Sequence, residues 1–358
     1  MTQIAAADVV VVGCGVIGLA TAERLVASNR SVVLVDGQGV ANGPSGASGG
    51  LVRAFDPAHG GSWAGEGLDV YLRRGWRGTW PEVREDGSLV LLETEAVPRA
   101  AANVRRLRRA GHVAELLSAR EMQDRFPHLA VPSDLVGVHE ARAGWLPARE
   151  VAQAMLRDAG PGATVLEGVS ATAVITSGTG VAGVRTPEGD VAARAVLLAA
   201  GTASSRLAET AGVHIPLRTR AIGYCLLEPA GGPPEGMPAF VDTTTGAWTR
   251  RWGSGSTVLA GVASTVCDVP PVVSEGAPPA EQERVRRVVE QRWPGLAGAR
   301  VVGGVAAYDA FPPDGNGSVI VWSEPQGLVT ATGWNGGGFK IAPAVGNHAA
   351  AWIEEVLA

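Results

Sequence analysis

Asp8-Val-Val-Val-Val-Gly-Cys-Gly-Val-Ile-Gly18 is the stretch of sequence that decides the fold. Its unbroken β-branched run is typical of a strand buried on both faces. A helical stretch from Leu19 to about Ala27 follows, and Ser31-Val-Val-Leu-Val35 predicts a second buried strand that ends at Asp36. This order of a strand, a glycine turn, a helix, a second strand and an acid predicts a βαβ dinucleotide-binding unit. In such a unit, Asp36 would accept a hydrogen bond from a ribose hydroxyl.

The three glycines of the turn have separate predicted roles. Gly13 permits the tight turn, Gly15 lets the backbone approach a pyrophosphate, and Gly18 lets the helix pack closely on the strand. We expect the diphosphate at the helix N-terminus, at Val16 and Ile17, where unpaired N–H groups and the helix dipole favour an anion.

The composition bounds the class of protein. A chain of 358 residues can bury a large core and usually forms two domains. No apolar run approaches the roughly 20 residues of a membrane helix, and the first residues lack the basic character of a signal peptide. A net charge of −5 without a basic cluster argues against nucleic-acid binding. Three scattered cysteines argue against a disulfide framework or a metal site. We therefore expect a soluble cytoplasmic protein, and the sequence does not predict its oligomeric state.

A single lysine, Lys340, stands among 30 basic residues. Biased codon usage accounts for the many arginines but not for the one lysine that remains. Lysine is a compact point charge whose pKa shifts readily, a property that arginine lacks. On this observation alone, a functional and a structural role for Lys340 stay equally open.

The remaining pattern predicts two interleaved domains. Ala195 to Gly201 and Gly327 to Thr332 read as further buried strands, whereas residues 216–310 alternate like an antiparallel sheet. We predict an α/β fold: a Rossmann-like cofactor domain, interrupted twice by an α+β substrate domain built on an antiparallel sheet. The expected bounds are 1–60, 140–215 and 311–358 for the cofactor domain, and 61–139 and 216–310 for the substrate domain.

Four motifs spread over the chain carry a family resemblance. Asp8 to Ala22 fits the FAD form of the glycine fingerprint, with a small residue four places after the third glycine. Pro44 to Arg53 resembles a loop that passes over an isoalloxazine ring, and Leu197 to Thr202 a strand and turn that close over the cofactor. Gly333-Trp-Asn-Gly-Gly-Gly-Phe-Lys-Ile-Ala-Pro343 resembles a C-terminal flavin motif. Together they resemble the D-amino-acid oxidase superfamily, in its glycine oxidase and monomeric sarcosine oxidase branch.

The resemblance implies an FAD cofactor and a set of residues that hold it. Sarcosine oxidases tether FAD to a cysteine in the region that reads Ala306-Ala307-Tyr308 here, so we expect non-covalent FAD. The implied cofactor-binding residues are Gly13, Gly15, Val16, Ile17, Gly18, Asp36, Ser45, Ala47, Ser48, Gly49, Gly50, Leu51, Ala200, Gly201, Gly333, Asn335, Gly336, Gly337, Gly338, Phe339 and Lys340.

The glycine run before the last helix has an electrostatic interpretation. Gly336 to Gly338 would present backbone N–H groups, with Lys340 just inside the helix. A helix N-terminus and a cation stabilise negative charge on the N1 and C2 oxygen side of a reduced flavin. The alternative is a plain flexible turn.

The resemblance also implies where a substrate binds. Arg53 and Lys340 match the residues that hold the substrate carboxylate in sarcosine oxidases, and a guanidinium suits a carboxylate through bidentate pairing. An ion pair between Arg53 and Asp56 is the structural alternative. Tyr224 and Trp334, with Trp63, Trp248 and Trp252, are candidate pocket walls, for each of which ordinary core packing is the alternative. His59 is a candidate base or a surface histidine.

Two departures from the family bear on substrate and acceptor. Asp309 stands where glycine and D-amino-acid oxidases carry a carboxylate-binding arginine, and it would face a substrate amine or, as we expect, pair with a local arginine. Residues 248–264 lack the oxygen-activating lysine of sarcosine oxidases and offer Arg250 and Arg251 instead. We therefore predict FAD-dependent oxidation of the C–N bond of a small amine with a carboxylate, and oxygen as acceptor. An FAD dehydrogenase with another acceptor, an NAD-dependent dehydrogenase and a non-catalytic flavoprotein remain as alternatives.

Overall fold

Two large β-sheets organise the chain, of which the computed structural model describes residues 2–57 and 62–358. In these ranges the strands are β1 (Gln3–Val12), β2 (Val32–Asp36), β3 (Leu51–Val52), β4 (Ser88–Glu93), β5 (Ala114–Ser118), β6 (Leu135–Glu140), β7 (Gly144–Trp145), β8 (Ala163–Glu167), β9 (Ala173–Ser177), β10 (Gly180–Thr186), β11 (Gly189–Leu198), β12 (Arg218–Glu228), β13 (Ala239–Asp242), β14 (Ala247–Trp252), β15 (Thr257–Val262), β16 (Ser274–Glu275), β17 (Arg300–Phe311), β18 (Ser318–Val321) and β19 (Leu328–Thr332). The helices are α1 (Val16–Ala27), α2 (Ser62–Trp76), α3 (Val97–Arg109), α4 (Ala119–Arg125), α5 (Ala148–Ala159), α6 (Ala203–Glu209), α7 (Pro279–Glu290) and α8 (Gly338–Leu357).

The first sheet contains the predicted βαβ unit. Its strand order is β18-β19-β11-β1-β2-β8, with β1, β2, β8, β11 and β19 parallel and β18 antiparallel at the edge. Val9 and Val11 pack with α1 and α8 on one face, whereas Val10 and Val12 pack with α6 on the other. Because both faces are covered, an unbroken valine run is needed, which confirms the interpretation of the opening sequence.

The second sheet follows the order β16-β17-β12-β15-β14-β13-β4-β6-β5 among the described residues. All neighbours are antiparallel except β13 and β4, which run parallel. Cys225 and Leu227 of β12 pack with α7, so the alternate residues Ile222 and Tyr224 lie on the opposite face.

The chain enters the second sheet twice, through β4–β6 and through β12–β17, between visits to the first sheet. This confirms the predicted α/β class with an inserted, largely antiparallel sheet. The residue bounds that we assign to the two domains stay a prediction. No helix in the described part of the chain is long and apolar enough to cross a membrane.

Candidate active site

The turn between β1 and α1 has no room for side chains at its key glycines. Gly13 has a φ of +110°, and a Cβ there would lie 2.4 Å from the carbonyl oxygen of Ala199. A Cβ on Gly18 would lie 2.0 Å from the carbonyl oxygen of Gly13. The predicted roles of tight turn and close helix packing therefore match the geometry of these two positions.

Asp36 organises the ends of β1 and β2. Its Oδ2 accepts a hydrogen bond from the Cys14 amide at 2.7 Å, and its Oδ1 accepts from the amides of Gln38 and Gly39 at 2.7 and 3.0 Å. An ionised carboxylate offers about four acceptor positions, so these three bonds leave capacity for a further donor. The predicted bond from a ribose hydroxyl to Asp36 stays a prediction that this geometry allows.

The loop at residues 45–51 lies against the start of α1. The Val16 amide donates to Ser45 Oγ at 3.1 Å, and a Cβ on Gly15 would approach the same oxygen to 2.8 Å. Within the loop, which includes Ala47, the Gly50 amide donates to Ser48 Oγ at 3.1 Å. The loop ends at β3, where Leu51 pairs with Trp145.

Two further predicted segments meet the same turn. Ala199 donates to the Val12 carbonyl at 2.8 Å, which sets Ala200 and Gly201 beside Gly13. Thr332 Oγ1 donates to the Gly201 carbonyl at 3.1 Å and so ties the end of β19 to this corner. The glycine fingerprint, residues 200–201 and the C-terminal motif are therefore neighbours in space.

The C-terminal motif forms a turn with several left-handed residues before α8. Gly333, Asn335 and Gly336 have φ values of +82°, +49° and +78°, a region that glycine adopts freely and asparagine tolerates. The Gly337 amide donates to the Trp334 carbonyl at 2.8 Å, and α8 begins at the next residue, Gly338. The first amides of a helix have no partner within it, so this turn presents an anion-favouring end.

Lys340 lies buried at the start of α8. Its Nζ pairs with Asp56 Oδ2 at 3.0 Å, so the acid that we considered for Arg53 contacts the lysine. Burial and the nearby positive charge of Arg53 lower the pKa of Lys340, and Asp56 opposes this effect. The preceding residue, Phe339, is fixed by Tyr71, whose hydroxyl donates to the Phe339 carbonyl at 2.6 Å.

Arg53 has an unused hydrogen-bond donor. Its Nε is buried and, among the described residues, finds no hydrogen-bond partner. The next two residues are held by Glu140, whose carboxylate accepts from the amides of Ala54 and Phe55 at 2.9 Å each. Burial raises the pKa of Glu140, and the two amides and the charge of Arg53 oppose this rise. Sequence reasoning missed Glu140, because nothing local connects it to a loop 85 residues away.

Arg250 covers the flavin loop from the substrate sheet. Its Nε donates to the Gly49 carbonyl at 2.5 Å, and its guanidinium lies 4.0 and 4.7 Å from the ring centres of Trp145 and Trp252. Burial lowers the pKa of Arg250 to about 10. We considered this arginine only as a substitute for an absent lysine, although alternate positions 248, 250 and 252 of one strand share a face.

Aromatic rings form a wall beside that arginine. Tyr224 contacts Trp248 and Trp252 with ring centres 6.1 Å apart in both pairs. The Trp248 ring fits over Gly49 and Gly261, where added Cβ atoms would lie 2.7 and 2.4 Å from it. Burial raises the pKa of the Tyr224 hydroxyl.

On the cofactor side, Trp334 is buried and its ring centre lies 5.8 Å from that of Trp63. Its indole Nε1 is buried without a hydrogen-bond partner in the described structure. His59, our candidate base, lies outside the described residues. Tyr224 thus lies on the substrate sheet and Trp334 on the cofactor side, and their role as pocket walls stays a prediction.

Asp309 lies on β17 and faces the C-terminal turn. Its Oδ1 accepts from the Ala310 amide at 2.8 Å, whereas its buried Oδ2 has no hydrogen-bond partner among the described residues. Burial raises the pKa of Asp309 to about 6. The arginine opposite it, Arg220, lies over the Phe311 ring at 4.7 Å. Among the described residues no hydrogen bond joins Asp309 to an arginine, but the charge of Arg220 lowers the pKa of Asp309, so the expected pairing with a local arginine stays a prediction.

The expected FAD suits this arrangement of polar atoms. Arg53 Nε and Trp334 Nε1 are unpartnered donors, and Asn335 Oδ1 and Asp309 Oδ2 are unpartnered acceptors, all buried in the described structure. Buried polar atoms normally have partners, so the set calls for a ligand rich in both donors and acceptors. The glycine turn at Gly13–Gly18 suits the nucleotide half of FAD, and these unpartnered polar atoms suit its flavin half.

Comparisons with known proteins agree with an FAD-binding protein. The model of the DAO family, FAD dependent oxidoreductase, matches residues 8–352. The 4-methylaminobutanoate oxidase (formaldehyde-forming) of Paenarthrobacter nicotinovorans is 30% identical over 362 residues, covering 96% of this chain and 43% of that protein. The glycine oxidase of Pseudomonas putida is 31% identical over 228 residues, 59% of each protein. The chain thus spans less than two thirds of the length of these curated relatives.

Solved structures share the fold. L-proline dehydrogenase from P.horikoshii has a TM-score of 0.86 at 19% identity, covering 99% of this chain and 94% of that one. Glycine oxidase from Bacillus cereus ATCC 14579 has a TM-score of 0.80 at 19% identity, covering 98% and 95% of the two chains. At such identities the likeness shows the architecture alone.

Proposed function

The chain belongs to the DAO family of FAD-dependent oxidoreductases, and from this premise we propose that it oxidises the C–N bond of a small amino acid or N-substituted glycine. The resulting imine hydrolyses to glyoxylate or a keto acid plus an amine. One observation carries the proposal: the half-buried Arg53, whose buried Nε is an unused donor in the described structure, lies beside the buried ammonium of Lys340 at the flavin motif.

The cofactor is FAD, and we propose that it is held without a covalent bond. When bound, it supplies the redox chemistry by accepting a hydride equivalent from the carbon next to the nitrogen. The β1–α1 turn and Asp36 would hold its nucleotide half, and residues 45–51, 200–201 and 333–340 its flavin half. The region matching the cysteine tether of sarcosine oxidases reads Ala306-Ala307-Tyr308, which offers no thiol.

Arg53 takes the larger share in binding the carboxylate. Lys340 is already paired with Asp56, so its charge is partly used, whereas Arg53 Nε still lacks an acceptor. A buried donor without a partner costs stability, and a bound carboxylate would remove that cost through a charge-assisted hydrogen bond. Lys340 adds positive potential beside the same turn and at the start of α8, where negative charge is stabilised.

The aromatic wall supports orientation and exclusion of water. Tyr224 and Trp248 on the substrate sheet, with Trp334 on the cofactor side, surround the substrate with apolar surface. Such a dry site strengthens the pairing of the carboxylate with Arg53 and orients the C–H bond to be broken.

We propose oxygen as the electron acceptor, with hydrogen peroxide as product. Arg250 keeps a buried positive charge beside Gly49 of the flavin loop, a position from which it would stabilise a developing anion. The likeness to an enzyme named 4-methylaminobutanoate oxidase supports an oxidase and a secondary amine. Cytoplasmic location stays a prediction.

An anaerobic visible spectrum tests the proposal. The purified yellow protein is recorded before and after glycine, sarcosine, longer N-alkylglycines and 4-(methylamino)butanoate are added one at a time. We expect one of them to bleach the flavin absorption and air to restore it. If the flavin is bleached but air restores it only with an added artificial acceptor, the enzyme is a dehydrogenase. If no member of the panel bleaches the flavin, the proposed substrate class is wrong.

Arg53→Gln tests the carboxylate site within that reaction. We expect it to weaken binding of a simple carboxylate inhibitor such as methoxyacetate about 10- to 100-fold, because a charge-assisted hydrogen bond is lost. Arg120→Gln is the matched control, since that side chain is 92% exposed. Equal inhibitor affinity in all three proteins would remove Arg53 from the site.

A further inference from the structure

Asp309 is a half-buried acid whose Oδ2 is itself buried and makes no well-formed hydrogen bond among the described residues, although the nearby Gly336 amide lowers the pKa of the carboxyl. Its other oxygen accepts from its neighbour's amide, so the orientation of the carboxylate is fixed. Buried polar atoms without partners are rare and call for an explanation, and a carboxylate costs more to bury than a neutral group.

The unsatisfied oxygen points at the flavin turn. A Cβ built on Gly336 would lie 3.7 Å from Asp309 Oδ2 and 3.9 Å from Ile222 Cδ1. On the other side of the same turn, a Cβ on Gly337 would lie 3.0 Å from Lys340 Nζ. A negative and a positive group therefore flank two consecutive glycines.

Asp309 also shares a face with the aromatic wall. In the antiparallel register of β12 and β17, Asp309 lies directly opposite Arg220, and Ala307 lies opposite Ile222. Because alternate residues of a strand share a face, Asp309 lies on the same side of the sheet as Ile222 and Tyr224. That side carries Trp248 and Trp252 through their contacts with Tyr224. The acid therefore borders the proposed substrate pocket and not the α7 side of the sheet.

We propose that Asp309 binds the ammonium group of the substrate and accepts the proton that the nitrogen must lose before its C–N bond is oxidised. The proposal deepens the proposed function and rests on it. One N–H bond of the substrate breaks, one O–H bond forms at Oδ2, and no electrons change hands. The free amine that remains has the lone pair needed for loss of a hydride equivalent from the neighbouring carbon.

The surroundings of Asp309 favour this role. The charged and titratable groups around it are Arg220 on β12, Tyr308 on its own strand and Lys340 beyond Gly337. Its pKa of about 6 leaves it ionised near neutral pH, yet makes it a better proton acceptor than an exposed carboxylate. The substrate class is accordingly an amine that arrives protonated, with its carboxylate directed towards Arg53.

A binding experiment on the holoenzyme tests the cation site without turnover. The probes are trimethylammonioacetate and 3,3-dimethylbutanoate, an isostere that keeps the carboxylate but lacks the cationic charge, and the readout is the perturbation of the flavin spectrum. We expect the wild type to prefer the cation by about 10- to 100-fold, and Asp309→Asn to lose that preference. Asp314→Asn, which removes an exposed acid five residues away, is the matched control and should keep it.

The pH profile of anaerobic flavin bleaching tests the proton transfer. In the wild type the rate at low substrate should fall as pH drops through about 6, because protonated Asp309 accepts no proton. Asp309→Asn should lose this acidic limb and react at least about tenfold more slowly at neutral pH, and Asp309→Glu should restore part of the rate.

The outcomes separate this inference from the proposed function. If Asp309→Asn keeps the cation preference, or keeps the acidic limb, the role of Asp309 is wrong while C–N oxidation stands. If Asp309→Asn only weakens FAD binding, with probe preference unchanged, the acid serves the cofactor and the inference fails. If no amine bleaches the wild type, the proposed function fails, and a cation preference that depends on Asp309 would still establish the binding half of the inference.

Discussion

Replacing Asp309 by asparagine should make the protein more stable at neutral pH, although it damages the proposed reaction. Asp309 Oδ2 is buried without a well-formed hydrogen bond among the described residues, and burial raises the pKa of the carboxyl from 3.8 to about 6. Since each tenfold change in an equilibrium constant is ~1.4 kcal/mol, the ionised carboxylate destabilises the folded state by ~3 kcal/mol above this pKa. The buried amide hydrogens of asparagine would cost ~1 kcal/mol, so we expect a net gain of ~2 kcal/mol.

The gain should depend on pH in a defined direction. The folded state holds its proton more tightly than the unfolded state, so stability falls as pH rises from 3.8 to about 6. Below this window the acid is neutral in both states, so Asp309→Asn should lower the stability by only the ~1 kcal/mol of its buried amide hydrogens. Above the window the carboxylate is ionised in both states, and the full gain should appear.

Urea unfolding at about pH 4 and at about pH 7.5 measures the difference between these limits. Two fixed FAD concentrations allow the stabilisation by bound cofactor to be subtracted. Asp314→Asn is again the control, and we expect its stability to follow the wild type at both pH values. An Asp309→Asn protein that is no more stable than the wild type at the higher pH would refute the buried, unsatisfied state of this acid.

Three further predictions concern the cradle, the ion pair and the thiols. Gly18→Ala should abolish or greatly reduce the FAD content of the purified protein, because its Cβ would lie 2.0 Å from the Gly13 carbonyl, whereas Gly231→Ala, with no atom within 4 Å, should keep it. Lys340→Met should lower the free energy of unfolding by ~3–5 kcal/mol because the buried Asp56 loses a cation, and a double variant with Asp56→Asn should recover part of this loss in urea titrations. A thiol reagent at about pH 8 should modify Cys267 rapidly and the buried Cys14 and Cys225 only on unfolding, since burial raises the pKa of both thiols; fast labelling of all three would contradict this.

Local motifs made much of this structure predictable from the sequence. The β1–α1–β2 unit follows from a valine run and three glycines whose tasks depend only on nearby backbone. The C-terminal turn is likewise local, since Gly333, Asn335 and Gly336 adopt the left-handed conformations that these residue types permit.

Interactions between distant segments could not be predicted in the same way. The partner of Lys340 is Asp56, and the residue that holds the chain after Arg53 is Glu140, both set by packing between elements far apart in sequence. Among the described residues, buried Arg250 forms no ion pair with an acid; two indole rings and two backbone carbonyls, of Gly49 and Arg251, contact its guanidinium instead. Residue types and spacing carry no record of such pairings, which depend on how the two sheets meet.

Product analysis after a single anaerobic turnover tests the central claim most directly. The holoenzyme is mixed with one equivalent of the amine that bleaches its flavin, and the quenched solution is assayed for carbonyl product and released amine. Oxidation of the C–N bond predicts one carbonyl compound and one amine for each flavin bleached. Bleached flavin with the C–N bond of the substrate intact would contradict the proposed reaction.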